Sequence, residues 1–166
     1  LADIHLKELA DMGANTIRVN DTINLENILN EAQKYNLAVI VDMPIPRYDK
    51  SYNPYLNKEH NSCLKQKIEV LVNKYKSHPA LLMWNLGNEL RIHLVFRKND
   101  IIKTFNELIE IIHTVDPNHP VSTSIAGVSR LSTAIIYFHS PKIDILSFNT
   151  FGNTKGLNLA QISFLF

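Results

Sequence analysis

Apolar runs rich in β-branched residues alternate along this chain with stretches of helical spacing, and that alternation constrains the fold more than any other feature. Ile4 to Met12 has helical spacing and stops at Gly13. Asn15 to Asn20 reads as a short strand. Leu25, Ile28, Leu29, Ala32 and Tyr35 form the stripe of the next helix, and Leu37 to Val41 is a near-continuous apolar run, as in a strand buried on both faces. A loop with Pro44, Pro46 and Pro54 precedes a helix from Leu64 to Lys76. The strand starting at Ala80 ends on Gly87-Asn88-Glu89, and Asn99-Asp100 caps a helix through His113. Pro120 to Ile125 is a strand, Val128 to Tyr137 is weakly helical, and Ile143 to Phe148 is a last strand ending at Asn149.

Strands joined through amphipathic helices are parallel and connected by right-handed crossovers. An open doubly wound sheet and a β/α barrel both satisfy this order. Both place ligands at the C-terminal ends of the strands, where this sequence puts Arg18, Asn20, Asp42, Asn88, Glu89, Ser124 and Asn149. A nucleotide-binding sheet carries a glycine-rich turn after its first strand. Here Asn20-Asp21-Thr22 stands there, and the chain's 5 glycines form no GxGxxG and no P-loop. The barrel is favoured.

The 166 residues suit a single α/β domain, with 45% hydrophobic residues for a core. A net charge of +1, with lysines spread over helix faces and loops, gives no electrostatic reason to expect nucleic acid or an anionic membrane. No apolar run reaches the roughly 18 residues of a membrane span. Cys63 is the lone cysteine, which excludes an internal disulfide and a multi-cysteine metal site. His60, His78, His93, His113, His119 and His139 lie in separate connections or helices with no pair at i, i+4, so neither a metal nor another cofactor is expected. Tyr48, Tyr52 and Tyr55 on the long loop could stack on sugar rings, but packing of that proline-bearing loop is the favoured role. Trp84 lies inside its strand and is expected to fill the barrel rather than form a sugar platform.

The end of the third strand carries the chemistry. A carboxylic acid partly withdrawn from water holds its proton to higher pH and can donate it to a leaving group. A glycine lets the backbone bend as it leaves the sheet, and a neighbouring amide can bond a hydroxyl without carrying charge. Gly87-Asn88-Glu89 supplies all three, a combination suited to sugars. Arg18 is a candidate for the same site or a salt-bridge partner of Asp42 or Glu89. Asp42 sits between a site rim and a capping or loop role, and Asn149 and Asn20 are further candidates.

"HPALLMWNLGNEL", residues 78–90, resembles the fourth-strand signature of clan A glycoside hydrolases, closest to family 2, the β-galactosidase, β-glucuronidase and β-mannosidase group. "LKELADMGANTIRVN", "AQKYNLAVIVDMPI", "VDPNHPVSTS" and "IDILSFNTFG" resemble further segments of those barrels in collinear order, over roughly residues 2 to 153. The resemblance implies an incomplete (β/α)8 TIM barrel, roughly strands two to six, forming one partial catalytic domain over residues 1–166. It implies a retaining glycosidase acting on a carbohydrate, with Glu89 as general acid/base, Asn88 on the sugar 2-hydroxyl and Arg18 orienting the second carboxylate. Asn149 and Asp42 complete the expected substrate-binding set, and Phe151 stands where the family usually shows tyrosine.

Retaining hydrolysis needs a second carboxyl group as nucleophile. In the family it ends the seventh strand, whereas residues 150–166 contain no Asp or Glu. The expectation is therefore that the remaining strands and the family's β-sandwich domains belong to a longer parent, and that this chain alone is inactive. The chain opens on Leu1, so a targeting segment cannot be judged; periplasmic and extracellular locations both stay open. A degenerate barrel that binds carbohydrate or serves as scaffold is the alternative, and a transglycosylase with the same acid/base is a third.

Overall fold

The computed structural model describes residues 2–20, 22–46, 54–89, 99–127 and 130–150. Helix α1 (Ala2–Asp11) leads into β1 (Thr16–Val19), and α2 (Leu25–Lys34) into β2 (Ala38–Met43). A short 3-10 turn (Pro54–Leu56) precedes α3 (Lys58–Tyr75) and β3 (Leu81–Asn88). Then come α4 (Asn99–Val115), β4 (Val121–Ala126), α5 (Arg130–His139) and β5 (Ile145–Asn149). Among the described residues no helix is long and apolar enough to cross a membrane.

The strands form one five-stranded sheet in the order β1-β2-β3-β4-β5, every neighbouring pair parallel. This order bears out the barrel that the sequence favours. A doubly wound sheet reverses its strand order at a switch point and covers both faces with helices. Here the strands follow in chain order, and crossovers of one hand stepping one way put the helices on one face. The result is part of a TIM barrel: a half-barrel of five strands with interleaved helices.

Strand side chains alternate between two layers, as the period of two requires. Val39, Val41, Met43, Leu81, Trp84, Leu86 and Val121 point to the helices and join one core with Leu29, Ile68, Val72, Leu108 and Ile112. A smaller cluster of Ile125, Ile135 and Ile136 continues it under α5. The other face carries Arg18, Asp42, Asn85, Ser122, Ser124 and Asn149, which bond to one another.

Trp84 therefore differs from its expected place. It is fully buried, but against the helices rather than inside the barrel. Its indole Nε1 donates to Asp116 Oδ2 at 2.8 Å, just past the end of α4. That carboxylate also accepts from His119 Nδ1 at 2.8 Å and, through Oδ1, from the backbone N–H groups of Asn118 and His119. A buried indole needs a partner for its one donor, and this turn supplies it.

Candidate active site

The C-terminal ends of the strands hold one continuous hydrogen-bond network. It starts on β1, where Arg18 Nε donates to Asp42 Oδ1 at 2.7 Å and Nη2 to Asp42 Oδ2 at 2.9 Å. This is a side-on bidentate pair, the strong geometry for guanidinium and carboxylate. Asp42 is 5% exposed, and a carboxylate so enclosed needs its oxygens satisfied. Asn85 Nδ2 adds a third bond to Oδ1 at 2.8 Å.

The remaining Nη2 proton of Arg18 goes to Asn88 Oδ1 at 2.9 Å, and Asn149 Nδ2 donates to the same oxygen at 3.0 Å. Arginine has no acceptor, so the Asn88 atom facing it must be oxygen. Both lone pairs of that oxygen are used. The Asn88 amide nitrogen, with two N–H groups, is what remains to meet a ligand. Asn149 Nδ2 also donates to Glu89 Oε1 at 3.0 Å. Among the described residues Glu89 makes no ion pair. Its side-chain partner is a neutral amide, bonded at Oε1.

The backbone that carries Glu89 is unusual. Gly87 has φ +80° and Glu89 has φ +54°. Only glycine enters that region without steric cost, so Gly87 is the residue the bend requires. Glu89 pays about 1–2 kcal/mol for it. A bond from Glu89 N to Ser124 O at 2.9 Å holds it there. Such outliers persist only where neighbours over-determine them, and they gather at functional sites.

Five of the residues picked out from sequence, Arg18, Asp42, Asn88, Glu89 and Asn149, thus lie in one network. Asp42 takes the Arg18 salt-bridge role and borders the site at once. Asn20 is exposed beyond the end of β1, outside the network. Asp144 lies at the opposite edge, where its Oδ2 accepts from Val121 N and from His113 Nε2. Phe151, Tyr48 and Tyr52 fall outside the described residues. Tyr55 has a packing role: its buried ring meets Ile101 and its hydroxyl donates to Pro46 O, across the long loop. Burial pushes the Tyr55 hydroxyl pKa far up, which keeps it a donor at every ordinary pH. Asn85 was missed, along with Ser122; the polar letter inside "MWNLG" and the alternation in "VSTS" were the available signals. Among the described residues no three His, Cys, Asp or Glu side chains gather as a metal site would need.

A single-wound parallel sheet with polar strand ends belongs to the β/α-barrel class, whose ligands bind at that edge. Within that class, residues 3–152 match the family described as "Glycosyl hydrolases family 2, TIM barrel domain", and the chain belongs to it. It is 25% identical over 139 residues to mannan endo-1,4-beta-mannosidase F of Aspergillus clavatus, covering 73% of this chain and 31% of that one. It is 26% identical over 147 residues to the human beta-glucuronidase, covering 84% of this chain and 20% of that one. The chain thus spans under a third of the length of these curated relatives. Beta-glucuronidase 3 of Bacteroides uniformis superposes with a TM-score of 0.73 at 19% identity, covering 98% of this chain and 20% of that one. The beta-1,4-D-mannanase of Cryptopygus antarcticus gives 0.64 at 14%, covering 88% and 59%.

Proposed function

We propose that this chain carries the acid/base half of a retaining glycosidase site, acting on O-glycosidic bonds of β-linked carbohydrate. The observation that supports it is the seating of Glu89: a half-buried carboxyl at the mouth of the sheet, bonded by a neutral amide and held in a strained backbone. The family's relatives named as glucuronidases and mannosidases favour a β-glycoside.

In this reading Glu89 protonates the glycosidic oxygen as the bond to C1 breaks, then takes a proton from the water that attacks the glycosyl intermediate. Asn149 fixes Oε1, leaving Oε2 to carry that proton. Asn88 donates through Nδ2 to a sugar hydroxyl oxygen. Arg18 has spent Nε and Nη2 on Asp42 and Asn88, and its Nη1 donors are left to orient a second carboxylate. Asp42 does not serve as that nucleophile, because three donors already occupy its oxygens. We infer that the nucleophile lies outside these residues, and that the chain alone turns over no glycoside.

Sequencing the encoding DNA on both sides of this segment is the first test. A downstream apolar strand ending in glutamate supports the reading. A stop after Phe166 with no such strand in any frame overturns it in favour of a carbohydrate-binding or scaffolding barrel. In the protein that contains both carboxylates, Glu89→Gln is expected to lower kcat on aryl β-glycosides by about 10²–10⁴-fold. Unchanged turnover would remove Glu89 from the chemistry.

A further inference from the structure

The carboxamide of Asn85 is 1% exposed and all four of its hydrogen-bonding positions are filled. Nδ2 donates to Asp42 Oδ1 at 2.8 Å and to the carbonyl of Gly87 at 3.0 Å. Oδ1 accepts from Ser122 Oγ at 2.9 Å and from Ser124 Oγ at 3.1 Å. One side chain therefore ties β2, β3 and β4 together at the edge where the site opens. Two of these partners act directly on the site. The Gly87 carbonyl belongs to the residue whose φ of +80° turns the chain toward Glu89. Asp42 is the carboxylate that aims Arg18 at Asn88. The acceptors fix which way the amide faces. The Asp42 carboxylate and the Gly87 carbonyl can only accept, so the nitrogen must face them, and the two serine hydroxyls turn to donate to Oδ1.

We propose that Asn85 is a positioning residue for the acid/base. Its amide sets the Gly87 turn and, through Asp42 and Arg18, the placement of Asn88 and Asn149 around Glu89. It touches no substrate. This rests on the reading of Glu89 given above, and it adds a residue that acts only through others. A buried amide that merely satisfied its neighbours would stabilise the sheet as a whole. A positioning amide has a local signature: its removal displaces the groups at the strand ends and spares the rest of β3.

Nuclear magnetic resonance on the full chain separates the two. Trp84 lies one residue from Asn85 but faces the helices and reports on the opposite side of the strand through Asp116. In Asn85→Leu, which keeps the branching at Cγ and removes every side-chain hydrogen bond, the side-chain amide resonances of Asn88 and Asn149 shift while the Trp84 indole resonance stays in place. Unshifted Asn88 and Asn149 amides overturn the proposal, as does a Trp84 indole that moves together with them. Where the leucine variant fails to fold, the milder Asn85→Ser decides by the same two readouts: shifted Asn88 and Asn149 amides with an unmoved Trp84 indole support positioning, and any other pattern overturns it. The reading of Glu89 fails separately, through the kinetics of Glu89→Gln, which none of these resonances reports.

Discussion

At the scale of single residues, His78 shows how one ring can make the molecule sensitive to pH. Its Nδ1 faces the backbone N–H of Ala80 at 3.2 Å and must accept, so the neutral ring carries its proton on Nε2, toward Asn30 Oδ1 at 3.2 Å. Partial burial lowers the His78 pKa, and the nearby Glu26 offsets part of that. A histidine with a depressed folded pKa binds its proton more readily when unfolded. Its contribution to stability is therefore complete above the usual imidazole value near 6.5 and is lost as pH falls from there to the folded pKa. Denaturant melts at pH 7.5 and 5.5 should show this loss, and His78→Gln should reduce the difference between the two.

The site was legible at this scale where a residue's chemistry alone marked it. Glu89, Asn88, Arg18, Asp42 and Asn149 are polar residues at strand ends, and they meet. Asn85 was hidden because the run before Gly87 reads as buried on both faces. Apolar continuity masks the one polar letter, which alternation points away from the core. Trp84 was read as barrel filling for the same reason. Its direction is set by which neighbour in the strand bonds Asp42, and that is a matter of strand register rather than composition.

Among the elements, α3 differs most from its sequence pattern. Its apolar stripe begins at Leu64, yet the helix starts at Lys58. The first two turns are polar and exposed, so periodicity carries no signal there. Asn57 supplies it instead: its side chain accepts from His60 N at 2.9 Å, an N-cap bond. Asn57→Ala should cost about 1 kcal/mol in urea unfolding, whereas an equal loss at the exposed Asn73 is not expected. Strand β3 ends at Asn88, in keeping with its Gly87-Asn88-Glu89 terminus, and Asn85 and Asn88 serve the open face. The alternation of strands and helices was readable throughout, since each helix offers an apolar stripe and each strand a β-branched or apolar run.

At the scale of the whole molecule, one core spans α2, α3, α4 and the helix-facing side of β2, β3 and β4. Leu108 sits inside it with no exposure. Leu108→Ala should lower unfolding free energy by about 2–5 kcal/mol, the range for an emptied core site. Val70, on the solvent side of α3 and 62% exposed, should tolerate alanine with a change within about 0.5 kcal/mol. The choice between a barrel and a doubly wound sheet rests, in the sequence, on the missing glycine-rich turn, because helix and strand patterns are alike in both; the pairing order bears the barrel out.

That order has a consequence for biosynthesis. Each strand hydrogen-bonds to the one made just before it, so the edge exposed by one helix–strand unit is the template for the next. Every pairing spans a single crossover, and loop-closure entropy stays small at each step. A ribosome releasing this segment hands over the units in the sequence in which they dock. The growing sheet can then be completed strand by strand, without waiting for a distant partner to emerge.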